Sequence, residues 1–265
     1  LTEQSGLSNG SILAISGQGD TVWLATLGGV HSLRCGLGSR YERTSVIQHF
    51  GEASEIGTNF IYTVFPDSRG RVWFGTDGEG LSVLKDGQLH SYAVADSIPI
   101  QAVYSIAEDR QGHIWFSTAR HGVFEYDGKK FRHLALQEGI RDLSITSIIA
   151  DEKGNLLIVH PDGIDIVDPA THHPVYYDEE AGLNGLEPNL NAVGRGSSGT
   201  IWLGMGDRLL RYTVLPMELA PHPRTVIRQG LFGVLRDEGV SLGPQRRRQH
   251  PPRPVARDLC RSQPL

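Results

Sequence analysis

One short phrase returns five times along the chain at nearly constant spacing. Its fullest copy runs from Gly70 to Leu81 and reads GRVWFGTDGEGL. A repeat period of ~40 to 50 residues is typical of four-stranded propeller blades, because one such unit alone cannot bury its apolar face. The chain is therefore predicted to fold as an all-β propeller, with five repeats of four strands visible. The anchor residues of the five copies, which lie 50, 42, 42 and 45 residues apart, are Trp23, Trp73, Trp115, Leu157 and Trp202.

The unit at residues 61 to 94 shows most clearly how one repeat divides into four strands. Apolar strand-like runs are separated by the turn residues of 66 to 70, by 77 to 80 and by the Asp86-Gly87 pair. Proline, aspartate and glycine favour such turns, and an Asp-Gly pair is a strong hairpin signal. The fifth unit is the exception, because no outer strand is evident in the sequence after Tyr212.

The recurring tryptophans are predicted to pack between neighbouring blades. Blades face one another around an axis, so a large flat side chain fills the space between two sheets. A sugar-stacking role is the alternative, but equal spacing in every unit favours packing. At Leu157 one aromatic group is lost while the apolar strand is kept. The Asp-x-x-Gly turns resemble parts of calcium loops, yet they lack alternating oxygen ligands and are interpreted as structural turns.

Composition separates the chain into two parts. Residues 1 to 215 carry 16 basic and 26 acidic side chains, whereas residues 216 to 265 hold nine Arg, no Lys and four acids. An acidic propeller disfavours nucleic acid as a partner. Eight of the 14 prolines fall in the second part, which is predicted to be a disordered tail, the start of a β-sandwich domain at residues 221 to 227, or out-of-frame sequence. The two cysteines, Cys35 and Cys260, give no paired spacing for a disulfide framework or a metal site.

The repeat written as D-x-x-G-x-[IV]-W-[FL]-G-T-x-x-x-G-[LV] resembles the two-component regulator propeller repeat. The match covers about residues 6 to 215 and includes the phrase at 6 to 12, which is echoed at 182 to 185. This resemblance implies the extracytoplasmic sensor region of a bacterial hybrid histidine kinase or diguanylate cyclase. It also implies a larger ring, often of seven blades, so the chain is interpreted as a fragment.

The resemblance implies a non-catalytic, ligand-sensing region of a signalling receptor in the periplasm or outside the cell. A small molecule or an oligosaccharide is the expected ligand, and a receptor dimer is compatible with it. The membrane is reached only through parts of the parent protein outside this sequence, which begins with Leu1 and shows no signal peptide. The alternative from another class is a soluble propeller that serves as an interaction scaffold.

An enzyme related to streptogramin lyases is the less favoured alternative. Its repeats also resemble the phrase at residues 112 to 118, but no histidine with a catalytic partner can be located from the sequence. No cofactor motif is present. No metal site is expected either, because the adjacent His172 and His173 would point apart in an extended segment and no third ligand is evident.

The predicted binding surface follows from strand alternation. Turns between the second and third strands open at the same end of the axis as the links between blades, so their polar residues converge on one mouth. The links contribute Asp96, Arg141 and Asn189. The turn residues predicted to bind ligand are Asp77, Glu79, Arg120, His121, His160, Asp162 and Asp207.

Overall fold

A computed structural model describes residues 2–34, 45–95, 97–178, 181, 183, 185–214 and 230–235 of the 265-residue chain. In these residues the chain forms strands and two single-turn 3-10 helices, Glu3–Ser5 and Leu136–Glu138, with no α-helix. No helix in this part of the chain has the length and apolarity needed to cross a membrane.

The strands form five antiparallel sheets of four strands, each built from consecutive segments of chain. The first blade contains β1 (Ile12–Gln18), β2 (Thr21–Thr26), β3 (Gly29–Arg34) and β4 (Ser45–Phe50). The second contains β5 (Ile61–Pro66), β6 (Val72–Thr76), β7 (Leu81–Lys85) and β8 (Gln88–Tyr92), followed by the two-residue pair β9 (Val94–Ala95) and β10 (Ile98–Pro99). The third contains β11 (Val103–Glu108), β12 (Ile114–Thr118), β13 (Val123–Tyr126) and β14 (Phe131–Leu134).

The fourth blade contains β15 (Ser147–Ala150), β16 (Leu156–His160), β17 (Gly163–Val167) and β18 (Pro174–Tyr177). The fifth contains β19 (Pro188–Arg195), β20 (Ile201–Met205), β21 (Leu209–Val214) and β22 (Gly230–Leu235). The prediction of an all-β propeller with five four-stranded blades is thus confirmed. The larger ring stays a prediction.

The outer strand of the fifth blade corrects the sequence analysis. No strand was evident after Tyr212, yet β22 pairs antiparallel with β21 along its whole length, from Leu209 opposite Leu235 to Val214 opposite Gly230. The strand lies within the segment assigned to the tail, so the blade extends past residue 215. The misreading arose because residues 215 to 229 connect the two strands, whereas two to ten residues connect the third and fourth strands of the other blades.

The first strands of the five blades surround a central cavity of about 700 Å³. They contact one another in chain order, β1 with β5, β5 with β11, β11 with β15 and β15 with β19. All five contribute lining residues to the cavity. The axis of the propeller is therefore open and lined by the innermost strands.

Four of the five anchor residues, Trp23, Trp73, Trp115 and Leu157, pack against the blade that follows in the chain. Trp73 is completely buried in a cluster with Val103, Ile106 and Phe116 of the third blade. Trp115 is likewise buried among residues of the fourth blade, and Leu157 among residues of the fifth. Trp202 belongs to the last described blade and is only half-buried. The predicted packing between blades is confirmed.

A buried aspartate links each of two tryptophans to the turn before it. The indole Nε1 of Trp73 donates to Oδ2 of Asp67 at 2.8 Å, while Oδ1 of Asp67 accepts the backbone N–H groups of Arg69 and Arg71 at 2.9 Å each. Asp109 binds Trp115 in the same way at 2.8 Å. The Asp-x-x-Gly-x-x-Trp phrase is thus one hydrogen-bonded unit, as expected for a structural turn rather than a calcium loop.

The fourth blade replaces this contact with one between blades. Because the Leu157 side chain has no N–H to donate, Oδ2 of Asp151 instead accepts the Asn155 side chain at 2.9 Å and the Tyr212 hydroxyl of the fifth blade at 3.1 Å. Burial, followed by the nearby Asp151 carboxylate, raises the pKa of Tyr212. The lost indole is therefore compensated by a neighbouring blade.

We expect Trp73→Ala to lower the free energy of unfolding by about 3–5 kcal/mol, because it removes a fully buried ring and the hydrogen bond that this ring donates to Asp67. Trp202→Ala is the matched control and should cost clearly less, since its ring is only half-buried. Chemical denaturation of the two variants and the wild type measures both. A loss below about 1 kcal/mol for Trp73→Ala would contradict the inter-blade packing.

Candidate ligand-binding mouth

One end of the axis, called the mouth here, is where the turns between second and third strands meet the links between blades. Backbone hydrogen bonds tie these segments together. Gly78 N donates to Gln101 O at 2.6 Å, and Ala119 N donates to Ala102 O at 3.2 Å. Backbone hydrogen bonds therefore join the turns to the links at the end of the axis where they were predicted to converge.

The innermost strands carry β-bulges close to the mouth. Pairing with the second strand skips Leu13 in the first blade, Tyr62 in the second and Tyr104 in the third. In the fifth blade the irregular stretch contains Asn191, whose φ of 57° lies in the left-handed region. A bulge adds one residue and re-aims a side chain, and such features are common beside functional sites.

Two bulge residues form an aromatic pair. The rings of Tyr62 and Tyr104 meet edge to face, with centroids 5.0 Å apart and planes at 79°. Both side chains are half-buried. Asn191 connects this pair to the opposite side of the axis, since its Nδ2 donates to Tyr62 O at 3.1 Å and its backbone N donates to Thr146 O at 3.1 Å. Four blades thus meet around the two tyrosines.

Asp77 is the predicted site residue that lies beside this pair. The pKa of Tyr62 is raised, mainly by burial. The Asp77 charge, Tyr104 and a hydrogen bond to Asp77 raise it further. Asp77 itself is exposed, and its backbone N–H donates to Phe60 O at 2.9 Å. Phe60 is also exposed, at 51%. The mouth cluster, defined as Tyr62, Tyr104, Asp77 and Asn191, therefore combines aromatic faces with a carboxylate and an amide.

The other exposed turn residues lie on the rim. Glu79 and Arg120 are exposed, as is Asp162, whose backbone carbonyl accepts the Tyr176 hydroxyl at 2.7 Å. Asp207 pairs with the adjacent Arg208 at 2.7 Å. They occupy the predicted turns, and their part in binding stays a prediction.

Two rim histidines differ from simple solvent-exposed turn residues. His121 is half-buried, its backbone N–H donates to Thr118 Oγ1 at 3.0 Å, and its carbonyl contacts the ring of His133. His160 is completely buried, with Nε2 3.4 Å from Asp165 Oδ2 and its ring stacked on Tyr176 at 5.8 Å. A side chain without solvent contact cannot meet a ligand at the surface, so His160 is removed from the predicted set.

The position of His160 in the repeat explains the error. It is the last residue of β16, at the place where the second and third blades have Thr76 and Thr118. Those threonines are also buried, and their hydroxyls donate to turn carbonyls at 2.8 and 3.1 Å. The residue therefore belongs to the strand and not to the turn.

The link residues behave differently from one another. Arg141 places its guanidinium 4.9 Å from the centre of the Tyr176 ring, and its backbone N–H donates to Asp165 Oδ2 at 2.9 Å. Asn189 is exposed, and Asp96 lies outside the described residues.

Sequence reasoning missed Tyr62, Tyr104 and Asn191. The sequence contained one indication of the aromatic pair, which is that a tyrosine occupies the same position in the second and third repeats.

Another buried histidine, His31, lies in the first blade. Its Nε2 accepts the backbone N–H of Ser8 at 3.0 Å, and its ring stacks on His49 at 4.6 Å. Burial, together with the nearby His49, lowers the pKa of His31 to about 4. The imidazole is therefore neutral in the folded protein at neutral pH.

Four-stranded antiparallel blades around an open axis define a β-propeller, and similar propellers are found among solved structures. The extracellular domain of a putative hybrid two component system from B. thetaiotaomicron aligns with a TM-score of 0.64 at 20% identity, covering 83% of this chain and 32% of that one. A second such domain from the same organism aligns with a TM-score of 0.62 at 20% identity, covering 76% and 29%.

Virginiamycin B lyase from Staphylococcus aureus is also similar in fold, with a TM-score of 0.59 at 15% identity over 77% of this chain and 67% of the lyase. No protein of curated function matches the sequence. The family model described as two component regulator propeller matches residues 55–78 and 97–120. The chain therefore carries two-component regulator propeller repeats, as the sequence resemblance predicted, and it spans about a third of the receptor domains it resembles.

Acidification should destabilise the protein through His31. Its folded pKa of about 4 lies below the ordinary value of 6.5, so between these values the unfolded chain binds a proton that the folded chain excludes. The contribution of His31 to the free energy of unfolding is fully present above about pH 6.5 and is lost as the pH falls towards about 4. From about pH 7 to about pH 5 this one group contributes a loss of about 2 kcal/mol. Denaturation of wild type and His31→Gln at both pH values measures it, with the exposed His90→Gln as control. An equal pH dependence in all three proteins would refute the assignment.

Proposed function

We propose that the chain is the ligand-sensing propeller region of an extracytoplasmic signalling receptor, and that the mouth cluster binds the ligand. The repeat match and the fold shared with extracellular domains of two component systems support the receptor assignment. The single observation that carries the site is the edge-to-face pair of Tyr62 and Tyr104, next in sequence to the cavity-lining Thr63 and Ser105, with Asp77 beside it. The extracytoplasmic location is part of this proposal and rests on the same comparisons.

The chemistry of the mouth cluster favours an oligosaccharide. Half-buried tyrosine rings offer flat apolar faces to the C–H groups of a sugar ring, and the Tyr62 hydroxyl, which is hydrogen-bonded to Asp77, can still accept a hydrogen bond. The Asp77 carboxylate accepts hydrogen bonds from sugar hydroxyls, and an amide such as Asn191 both donates and accepts. A concave opening with aromatic walls and a few convergent polar groups is the usual form of a small-ligand site.

A binding role is favoured over catalysis because of the groups that compose the cluster. General acid–base chemistry at neutral pH is most often performed by an accessible imidazole within hydrogen-bond reach of the substrate. The mouth cluster contains none, and His160 of the fourth blade is completely buried. The similarity to virginiamycin B lyase concerns the fold, which hosts many functions.

The test begins with calorimetry of the full chain against a panel of neutral and acidic oligosaccharides. For any sugar that binds, Tyr62→Ala should weaken affinity by about tenfold or more, since one ring contact contributes about 1.5 kcal/mol. Tyr62→Phe keeps the ring and loses the hydroxyl, so it should lose less. Lys129→Ala, in the β13–β14 turn at the other end of the axis, is the control.

Two results would contradict the proposal. One is a verified ligand whose affinity is the same for Tyr62→Ala and wild type. The other is the absence of any sugar ligand together with stoichiometric capture of a protein partner through the mouth, which would favour the scaffold alternative.

A further inference from the structure

A buried carboxylate lies between the third and fourth blades, away from the mouth cluster. Glu125 of β13 is only 5% exposed and pairs across the sheet with Trp115. At the same place the second blade has Val83, opposite Trp73. The fourth blade has Ile166 there, opposite Leu157. An ionisable group at an otherwise apolar position requires compensating partners.

Two imidazoles approach this carboxylate from different blades. His113 Nδ1 lies 2.7 Å from Oε1 of Glu125, and His172 Nε2 lies 2.8 Å from Oε2. His172 belongs to the β17–β18 turn of the fourth blade and has a φ of 57°, a conformation rarely adopted outside glycine. Asp109 adds a second carboxylate, with Oδ2 3.5 Å from His113 Nδ1.

We propose that Asp109, His113, Glu125 and His172 form a binding site for a divalent transition metal ion, zinc by its ligand chemistry, that links the third and fourth blades. Ligand atoms of the first three residues all lie within 4.8 Å of one another. His172 lies outside this group of three, but its Nε2 reaches the second oxygen of the same Glu125 carboxylate and would supply the fourth ligand. Two imidazoles with two carboxylates suit zinc, whereas calcium and magnesium prefer oxygen ligands alone.

The surroundings orient the ligands and leave a route for the ion. Oδ1 of Asp109 accepts hydrogen bonds from the backbone N–H groups of Gln111 and His113 at 2.9 Å each. Oδ2 accepts one from Trp115 Nε1. Such outer contacts fix ligating carboxylates in metal sites. The His113 and His172 side chains are 29% and 21% exposed, so one side of the cluster is open to solvent.

Charge balance also fits a divalent ion. Two carboxylates with two neutral imidazoles carry the charge that one such ion neutralises. Without the ion, Arg132 partly fulfils this role, with Nε 3.6 Å from Oε2 of Glu125. Its side chain is 50% exposed, so the guanidinium can withdraw into water when the metal binds.

The other blades supply variants that should fold. The position of His113 is occupied by Asn155 in the fourth blade, where the side chain donates to the turn aspartate at 2.9 Å. His113→Asn therefore removes a metal ligand and keeps a compatible hydrogen bond. Glu125→Val installs the residue of the second blade. His90→Ala removes an exposed histidine elsewhere and controls for zinc bound at the surface.

Zinc alone is titrated into the full chain, with calorimetry and thermal unfolding as readouts. We expect one ion to bind to the wild type and raise the melting temperature. His113→Asn and Glu125→Val should weaken this binding by at least about 10- to 100-fold, the range already caused by loss of an outer-shell contact. His90→Ala should retain it, and oligosaccharide binding at the mouth should be unchanged in all variants.

The proposal is overturned if folded His113→Asn and Glu125→Val bind zinc as tightly as the wild type. It is equally overturned if zinc leaves the melting temperature of the wild type unchanged. Far-UV circular dichroism of each variant establishes that the fold is retained before either comparison is made.

Discussion

The packing of one large apolar side chain between each blade and the next is the interaction on which this structure depends. A four-stranded sheet cannot bury both of its faces alone, so neighbouring blades must cover each other. Trp73 and Trp115 are completely buried at two such boundaries. The aspartate bound to each indole fixes the ring and at the same time closes the preceding turn. Packing and turn geometry are thus specified by the same short phrase.

This coupling explains which features could be predicted from the sequence. The period and the strand order repeat in every unit, and the anchor residue is buried in four of the five, so the copies reinforce one interpretation. Features found in one place are not reinforced. The outer strand β22 follows an unusually long connection, and His160 replaces a buried threonine at the end of a strand. In both cases the repeat pattern was present, but a single departure from it hid the local structure.

The two candidate sites were hidden for a different reason, because each depends on contacts between blades. Tyr62 and Tyr104 are 42 positions apart and meet only because a bulge recurs in the innermost strands of the second and third blades. Glu125 and His172 come from neighbouring blades and would not be paired by spacing alone. The sequence shows Asp77 as a turn residue, whereas the structure adds the aromatic pair that gives it a chemical context.

Hydrogen exchange with and without a bound oligosaccharide tests the central claim, that the mouth of the propeller is the ligand site, most directly. The account predicts slower exchange for amides in residues 59 to 63, 101 to 105 and 189 to 192, which surround the mouth cluster. It also predicts unchanged exchange for residues 127 to 130, which lie in a turn at the opposite end of the axis. Protection confined to that opposite end, with none around Tyr62 and Tyr104, would contradict it.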